Sequence, residues 1–421
     1  MRLRVFALIL LGLVTAFPAI AADLTAARPQ QVGMSGERLS LAPSLLDDYV
    51  ATGKLAGAVL LVARDGRVVL HSAHGARDRE AAQPMKKDTI FRIASQTKAV
   101  VSVAVMLLQE EGRLLITDPV SRYLPEFEST TVAITDGDGA VAVVPAARRI
   151  TIRDLLTHTA GIGYGYGPAA EQWQAADIQG WYFAHRAEPV RETVRRMAAL
   201  PMDAQPGTAF VYGYGTDVLG AVVEVVSGQS LDRFLQARLF DPIGMVDTHF
   251  YLPQAKRDRL AVVYSAEAQG GPPARAPDVS SMAGQGAYID GPRASFSGGA
   301  GLLSTAMDYT RFLRMLQNGG IMDGHRILSP NTVALMTADH LGDIDFRPGE
   351  GFGLGFATTL DLGARGTPGS VGEYGWGGAY HTVYWVDPAK RLTVVYMTQL
   401  LPAADIDDAR KLRAIIYGAI E

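Results

Sequence analysis

The chain has 421 residues, of which 48% are hydrophobic and 19% charged, a globular rather than a disordered composition. Its formal net charge of -4 is spread along the sequence without a basic stripe or an acidic block, which argues against nucleic acid as a partner. Cysteine is absent, so disulfides, thiol nucleophiles and lipid-bearing cysteines are excluded.

In chain order, residues 1–22 read as an export signal. Arg2 and Arg4 precede an apolar run over 5–16, too short for the roughly 20 residues that span a bilayer. Small residues at Ala19, Ala21 and Ala22 place cleavage near Ala21 or Ala22, which implies a secreted or periplasmic protein with no membrane attachment afterwards. Leu39, Leu45, Leu46, Tyr49 and Val50 recur at helical spacing over 35–50, with Pro43 expected to start or kink that helix. Residues 56–63 and 68–72 are apolar and β-branched around an Asp65-Gly66 turn, which predicts a hairpin. The segment ending at Gly112 is apolar almost all round over 99–108, so a centrally buried helix is expected there. TTVAITDGDGAVAVV, within 129–149, predicts a small hairpin. Its Asp136-Gly137-Asp138-Gly139 lacks the further oxygen ligands of a calcium loop. Near the far end, 379–386 and 392–398 flank a second turn at 387–390, and 405–420 carries Leu412, Ile415, Ile416 and Ile420 on one helical face. Strands near both ends predict an α/β (α+β) fold, with one sheet from 23–92 and 299–421. Residues 93–298 then form an inserted, mostly helical domain.

Reactive side chains open the buried segment. In FRIASQTKAVVSVAVMLLQEEG, Ser95 and Lys98 stand three apart, and on a helix such positions share a face. A serine in the first turn also sets its own N–H at the positive end of the helix dipole, where an oxyanion is stabilised. A desolvated amine can accept the proton that makes a hydroxyl nucleophilic. A capping serine followed by a surface lysine has the same spacing, so the four residues alone are a weak signal. No second Ser-x-x-Lys occurs, however, and a lysine on an apolar helix needs a reason. Rival signatures are missing: there is no Gly-x-Ser-x-Gly elbow and no His-Glu-x-x-His helix. His71 and His74 diverge at a strand end, and the GFGLGF run at 351–356 lacks the strand–turn–helix context of a dinucleotide site.

FRIASQTKA, TIRDLLTHTAGI (151–162), DPIGMVDTHF (241–250) and GGAGLLSTAMDYTRF (298–312) together resemble the serine β-lactamase and penicillin-binding-protein superfamily. The match runs from about residue 32 to the C-terminus and is closest to class C β-lactamases and family VIII carboxylesterases. It implies a β-lactamase/transpeptidase-like fold with the nucleophile on Ser95 and its partner on Lys98. The second family motif, Tyr-x-Asn or Tyr-Ser-x, falls on Tyr212-Gly213-Tyr214, and the framing Pro206-Gly207-Thr208 and Leu219-Gly220 select Tyr212 as the base. A core aromatic in a glycine-rich loop is the other reading of Tyr212. In place of the third motif, Lys-Thr-Gly, stands Trp376-Gly377-Gly378, after which the backbone N–H of Ala379 would pair with that of Ser95 as an oxyanion hole.

These departures bear on substrate. Trp376 has no charge to hold a carboxylate, and Tyr214 in place of asparagine removes an amide that engages an acylamino arm. The resemblance therefore implies a serine carboxylesterase for short-chain or aryl esters, with weak β-lactam hydrolysis, and with Trp376, Gly377, Gly378 and Tyr214 contacting substrate. No metal or organic cofactor is implied. The alternatives are a β-lactamase or D-alanyl-D-alanine carboxypeptidase, and a non-catalytic sensor that binds penicillin or peptidoglycan. The loops around GIGYGYGP and SMAGQGAYIDGP either shape the cleft or are ordinary turns. His381 is either a substrate contact or a satisfied strand histidine.

Overall fold

Among the described residues, hairpins from the two ends of the sequence meet in one nine-stranded sheet. The computed structural model describes residues 24–266, 271–403 and 406–421, so the expected export signal lies outside the described residues. The strands are β1 (Thr25–Ala26), β2 (Gly57–Arg64), β3 (Arg67–Asp78), β4 (Gln83–Pro84), β5 (Glu350–Phe352), β6 (Ala357–Thr359), β7 (Tyr374–Gly378), β8 (Thr382–Asp387) and β9 (Leu392–Thr398). Their order is β1-β3-β2-β9-β8-β7-β6-β5, with β4 added to β3. The two ends join where β9 runs antiparallel to β2, with Tyr396 opposite Leu60.

Every residue of β2 is buried, because both faces of the sheet are covered. Leu60, Val62, Val394 and Tyr396 face α1 (Leu41–Ala51) and the last helix, where Leu46, Tyr49, Leu412 and Ile416 complete one core. The alternate residues Val59, Leu61, Val395 and Met397 join the second core. Here α2 (Thr97–Glu110) supplies Val101 and Val105, and α4 (Ala306–Gln317) supplies Phe312, Leu313 and Leu316. Full burial of each such side chain stabilises the fold by about 1.5–3 kcal/mol. Between them α3 (Gly215–Ser227) packs on α2, and the terminal helix is α5 (Asp408–Gly418). The result is the expected arrangement, a mainly antiparallel sheet flanked by helices. Among the described residues, no helix is long and apolar enough to cross a membrane.

Two elements differ from expectation. The helix over 35–50 is two pieces, Gly36–Leu39 and α1, broken at Ser40. Pro43 neither starts nor kinks it but sits in the first turn of α1, where its missing N–H would have no partner in any case. The strand expected over 379–386 begins only at Thr382, because Ala379–His381 is a tight turn that links β8 to β7, and His381 takes a left-handed φ of 64°. The composition of β7, Tyr-Gly-Trp-Gly-Gly, hides it from any propensity reading. The small hairpin is present as Thr131–Thr135 paired with Val141–Pro145. The Asp136 carboxylate accepts the N–H groups of Asp138 and Ala140 and so caps its turn.

Two half-buried histidines make this packing acid-sensitive. Burial, reinforced by Lys87, pushes His71 down to about 4, and burial with Lys256 does the same to His249. Below the usual histidine range the unfolded chain binds protons that these folded imidazoles refuse. Each therefore contributes stability that is complete above pH 6.5 and lost as the pH falls through 4. Asp308, raised to about 6 by burial, has the opposite sign, because its folded carboxyl takes up a proton earlier than its unfolded one. Comparing proteins that share Asp308 cancels its contribution. Denaturant titrations at about pH 7 and pH 5 should show a smaller loss of stability on acidification in His71→Gln than in the parent, and equal losses would refute the assignment.

Candidate active site

A strained turn delivers Ser95. Residues 94–96 form one 3-10 turn immediately before α2, and Ala94 within it has φ 41°, a left-handed backbone for a residue with a Cβ. Such a conformation costs about 1–3 kcal/mol and persists only where packing enforces it. Here Ala94 is 1% exposed against Val263, Ala276, Ala300 and Tyr380. The Tyr309 hydroxyl donates to Gln96 O at 2.9 Å, and Thr97 Oγ1 accepts from Leu302 N at 3.0 Å, pinning both sides of the turn.

Lys98 lies one turn along, 1% exposed, and its ammonium meets three acceptors. Nζ donates to Gly299 O at 2.7 Å, to Tyr164 Oη at 3.0 Å and to Ser95 Oγ at 3.3 Å. Burial by itself disfavours the charged form. The Tyr164 and Tyr212 phenols and the Asp217 carboxylate outweigh it and hold Lys98 above the usual lysine range. Burial likewise raises the Tyr164 phenol against the pull of Lys98, so at neutral pH the pair is an ammonium beside a neutral phenol.

The Tyr212 ring lies under the same ammonium, with its centroid 4.6 Å from Nζ. Its hydroxyl turns to Trp376, whose indole N–H donates to it at 2.9 Å. Gly213 makes this arrangement possible: a Cβ there would come within 2.2 Å of Ile162 O, closing the space through which the Tyr164 loop reaches Lys98. Asp217, in the first turn of α3 and 1% exposed, accepts Ser297 Oγ at 2.6 Å and Gly299 N at 3.0 Å. It therefore fixes Gly299, the residue whose carbonyl holds Lys98.

The far wall is β7. At Gly378 a Cβ would fall 2.3 Å from Ile93 O, so glycine lets the strand end press against the nucleophile turn. Among the described residues, the N–H groups of Ser95 and Ala379 donate to no other group, which leaves both available to an oxyanion. The resulting cleft has a volume of about 530 Å³, in the range of small-molecule sites. Ser95, Tyr164, Trp181, Tyr212, Trp376 and Ala379 line it, with Gly377 and Gly378 on the same wall. His381 also borders it, but its Nε2 pairs with Asp408 Oδ1 at 2.7 Å, tying the turn after Ala379 to α5. Among the described residues, no group of three or more histidine, aspartate and glutamate side chains is placed to hold a metal ion.

The structure thus brings together Ser95, Lys98, Tyr212, Trp376, Gly377, Gly378 and Ala379. Tyr214 is a correction. It is wholly buried, stacked between Trp173 and Phe183, and its hydroxyl donates to Gly180 O at 2.5 Å, so it faces away from the cleft. Tyr212 and Tyr214 stand on either side of the Gly213 bend just before α3, with one ring in the cleft and the other in the core. Tyr164 and Asp217 were missed. The only sequence signal for Tyr164 was its place in the glycine-rich GIGYGYGP loop, and nothing local marked Asp217.

The Beta-lactamase family model matches residues 43–417. Esterase EstB of Burkholderia gladioli is 35% identical over 397 residues, covering 89% of this chain and 94% of that protein. Lovastatin esterase of Penicillium rubens is 30% identical over 393 residues, covering 85% of this chain and 92% of its own. Among solved structures, EstCE1, described as a hydrolase with promiscuous acyltransferase activity, superposes with a TM-score of 0.75 at 30% identity. That alignment covers 91% of this chain and 99% of EstCE1.

A serine-directed fluorophosphonate should label Ser95. Tyr212→Phe should slow labelling by about 10²–10⁴-fold, the usual contribution of an acid–base group, whereas Tyr214→Phe should label at close to the parent rate. Equal rates for Tyr212→Phe and the parent would remove Tyr212 from the proton path.

Proposed function

The chain belongs to the Beta-lactamase family, and from that premise we propose that it is a serine carboxylesterase acting on short-chain or aryl esters. The observation that carries this reading is Trp376. Where the family places a charged lysine, an indole closes the cleft and bonds to the Tyr212 hydroxyl at 2.9 Å. An apolar wall of this kind suits acyl and aryl groups. Relatives named as esterases support the same substrate class.

In the proposed mechanism Ser95 attacks the ester carbonyl. The Tyr212–Lys98 pair accepts the hydroxyl proton through the Tyr212 oxygen. The N–H groups of Ser95 and Ala379 hold the oxyanion. As the tetrahedral intermediate collapses, the same phenol protonates the departing alkoxide and leaves an acyl group on Ser95. Water then attacks that ester, giving its proton to Tyr212, and the acid departs as Ser95 recovers its own proton. Lys98 keeps its charge throughout and Tyr164 orients it. Arg2, Arg4 and the apolar run after them support export, with cleavage near Ala21 or Ala22 and a periplasmic or secreted destination.

Purified protein should hydrolyse p-nitrophenyl butyrate far faster than nitrocefin or a D-Ala-D-Ala peptide, and Ser95→Ala should abolish that turnover while circular dichroism stays unchanged. Preference for nitrocefin would favour a β-lactamase, and preference for the peptide a carboxypeptidase. Acylation without product release would favour a sensor.

A further inference from the structure

The cleft wall around Trp376 carries five charged side chains: Arg347, Glu350, Arg365, Glu373 and Arg413. Most of this charge is internally matched. Glu373, whose side chain is 2% exposed, receives Arg365 at 2.8 Å and also binds Arg413 and the Tyr417 hydroxyl. Glu350 receives Arg365 Nε at 2.9 Å. Arg347 is left over: it reaches Glu350 only at 3.5 Å, with 55% of its side chain exposed.

Arg347 is nevertheless held in place. Its guanidinium carbon lies 4.8 Å from the Trp376 ring centroid and 4.9 Å from that of Phe346. Its backbone is fixed by the Arg347-Pro348-Gly349-Glu350 turn, where Glu350 N donates to Arg347 O at 3.0 Å and Gly349 has φ 71°. A guanidinium stacked on aromatic rings keeps its in-plane N–H edge available, and that edge matches a carboxylate in bidentate geometry. From Arg347 a continuous series of contacts leads inward through Trp376, Tyr212 and Lys98 to Ser95.

We propose that Arg347 makes this cleft selective for esters that carry a carboxylate beyond the scissile bond, on the acyl or the alcohol side. The proposal rests on the esterase reading. It amends the expectation that replacing a motif lysine by Trp376 leaves the site without a charged anchor: the cation returns from a different element, stacked on the tryptophan that displaced it.

The test compares kcat/KM for 4-acetoxybenzoate against its methyl ester, and for the mono-aryl ester of adipic acid against the same compound methylated at its free carboxyl. The first pair reads a carboxylate on the alcohol side, the second on the acyl side. The parent protein should favour the anionic member of at least one pair, and added salt should shrink that preference. In Arg347→Met the anionic-to-neutral ratio should fall about five- to tenfold, mainly through KM of the anionic ester, and Arg347→Lys should restore part of it. A ratio unchanged in Arg347→Met, with both esters turned over, overturns the role of Arg347 alone. Failure of the parent to hydrolyse any of the four esters overturns the esterase reading and this proposal with it.

Discussion

A lysine ammonium with almost no access to water organises this molecule. Lys98 is tolerable at 1% exposure only because three acceptors meet its three N–H groups, and each comes from a different part of the chain: Ser95 from its own turn, Tyr164 from a loop, Gly299 from the segment before α4. Removing one acceptor leaves a buried donor unsatisfied, so the charge serves as a checkpoint on correct assembly of the middle of the fold. Asp217 extends that constraint to α3 through Gly299, whose N–H it accepts.

The sheet supplies rigidity from the other side. Because β2 and β9 are adjacent and buried on both faces, they hold the two ends of the sequence together in one frame. β7 extends from this frame towards the nucleophile turn, and at Gly378 the two backbones come within touching distance. One N–H of the expected oxyanion pair thus sits in the turn that ends β7 and the other in the turn that opens α2, so their spacing reports how well sheet and helices are packed together.

Legibility followed locality. The β2–β3 hairpin, the buried helix and the Ser95–Lys98 spacing were readable because periodicity and short-range motifs encode them. Propensity alone hides β7, because its glycines lower strand propensity, and only the family resemblance puts Trp376-Gly377-Gly378 on a strand; close approach to Ile93 is what requires Gly378. Tyr212 and Tyr214 show the limit of motif spacing. Their order along the chain is clear, yet which ring enters the cleft depends on where α3 begins and on whether Trp173 and Phe183 wait behind it. Tyr164 is 66 residues from Lys98, so its hydrogen bond is a property of the assembled loop and of no local pattern.

The pairing of His381 with Asp408 places the last helix in charge of more than solubility. Asp408 also accepts the Tyr396 hydroxyl, so α5 grips β9 and the turn beside Ala379 with one carboxylate. Fusions, tags or proteolytic trimming at this terminus would act at a distance, on the turn beside Ala379 as well as on the core that Leu412 and Ile416 complete. Anyone engineering the protein for immobilisation has reason to tether it elsewhere.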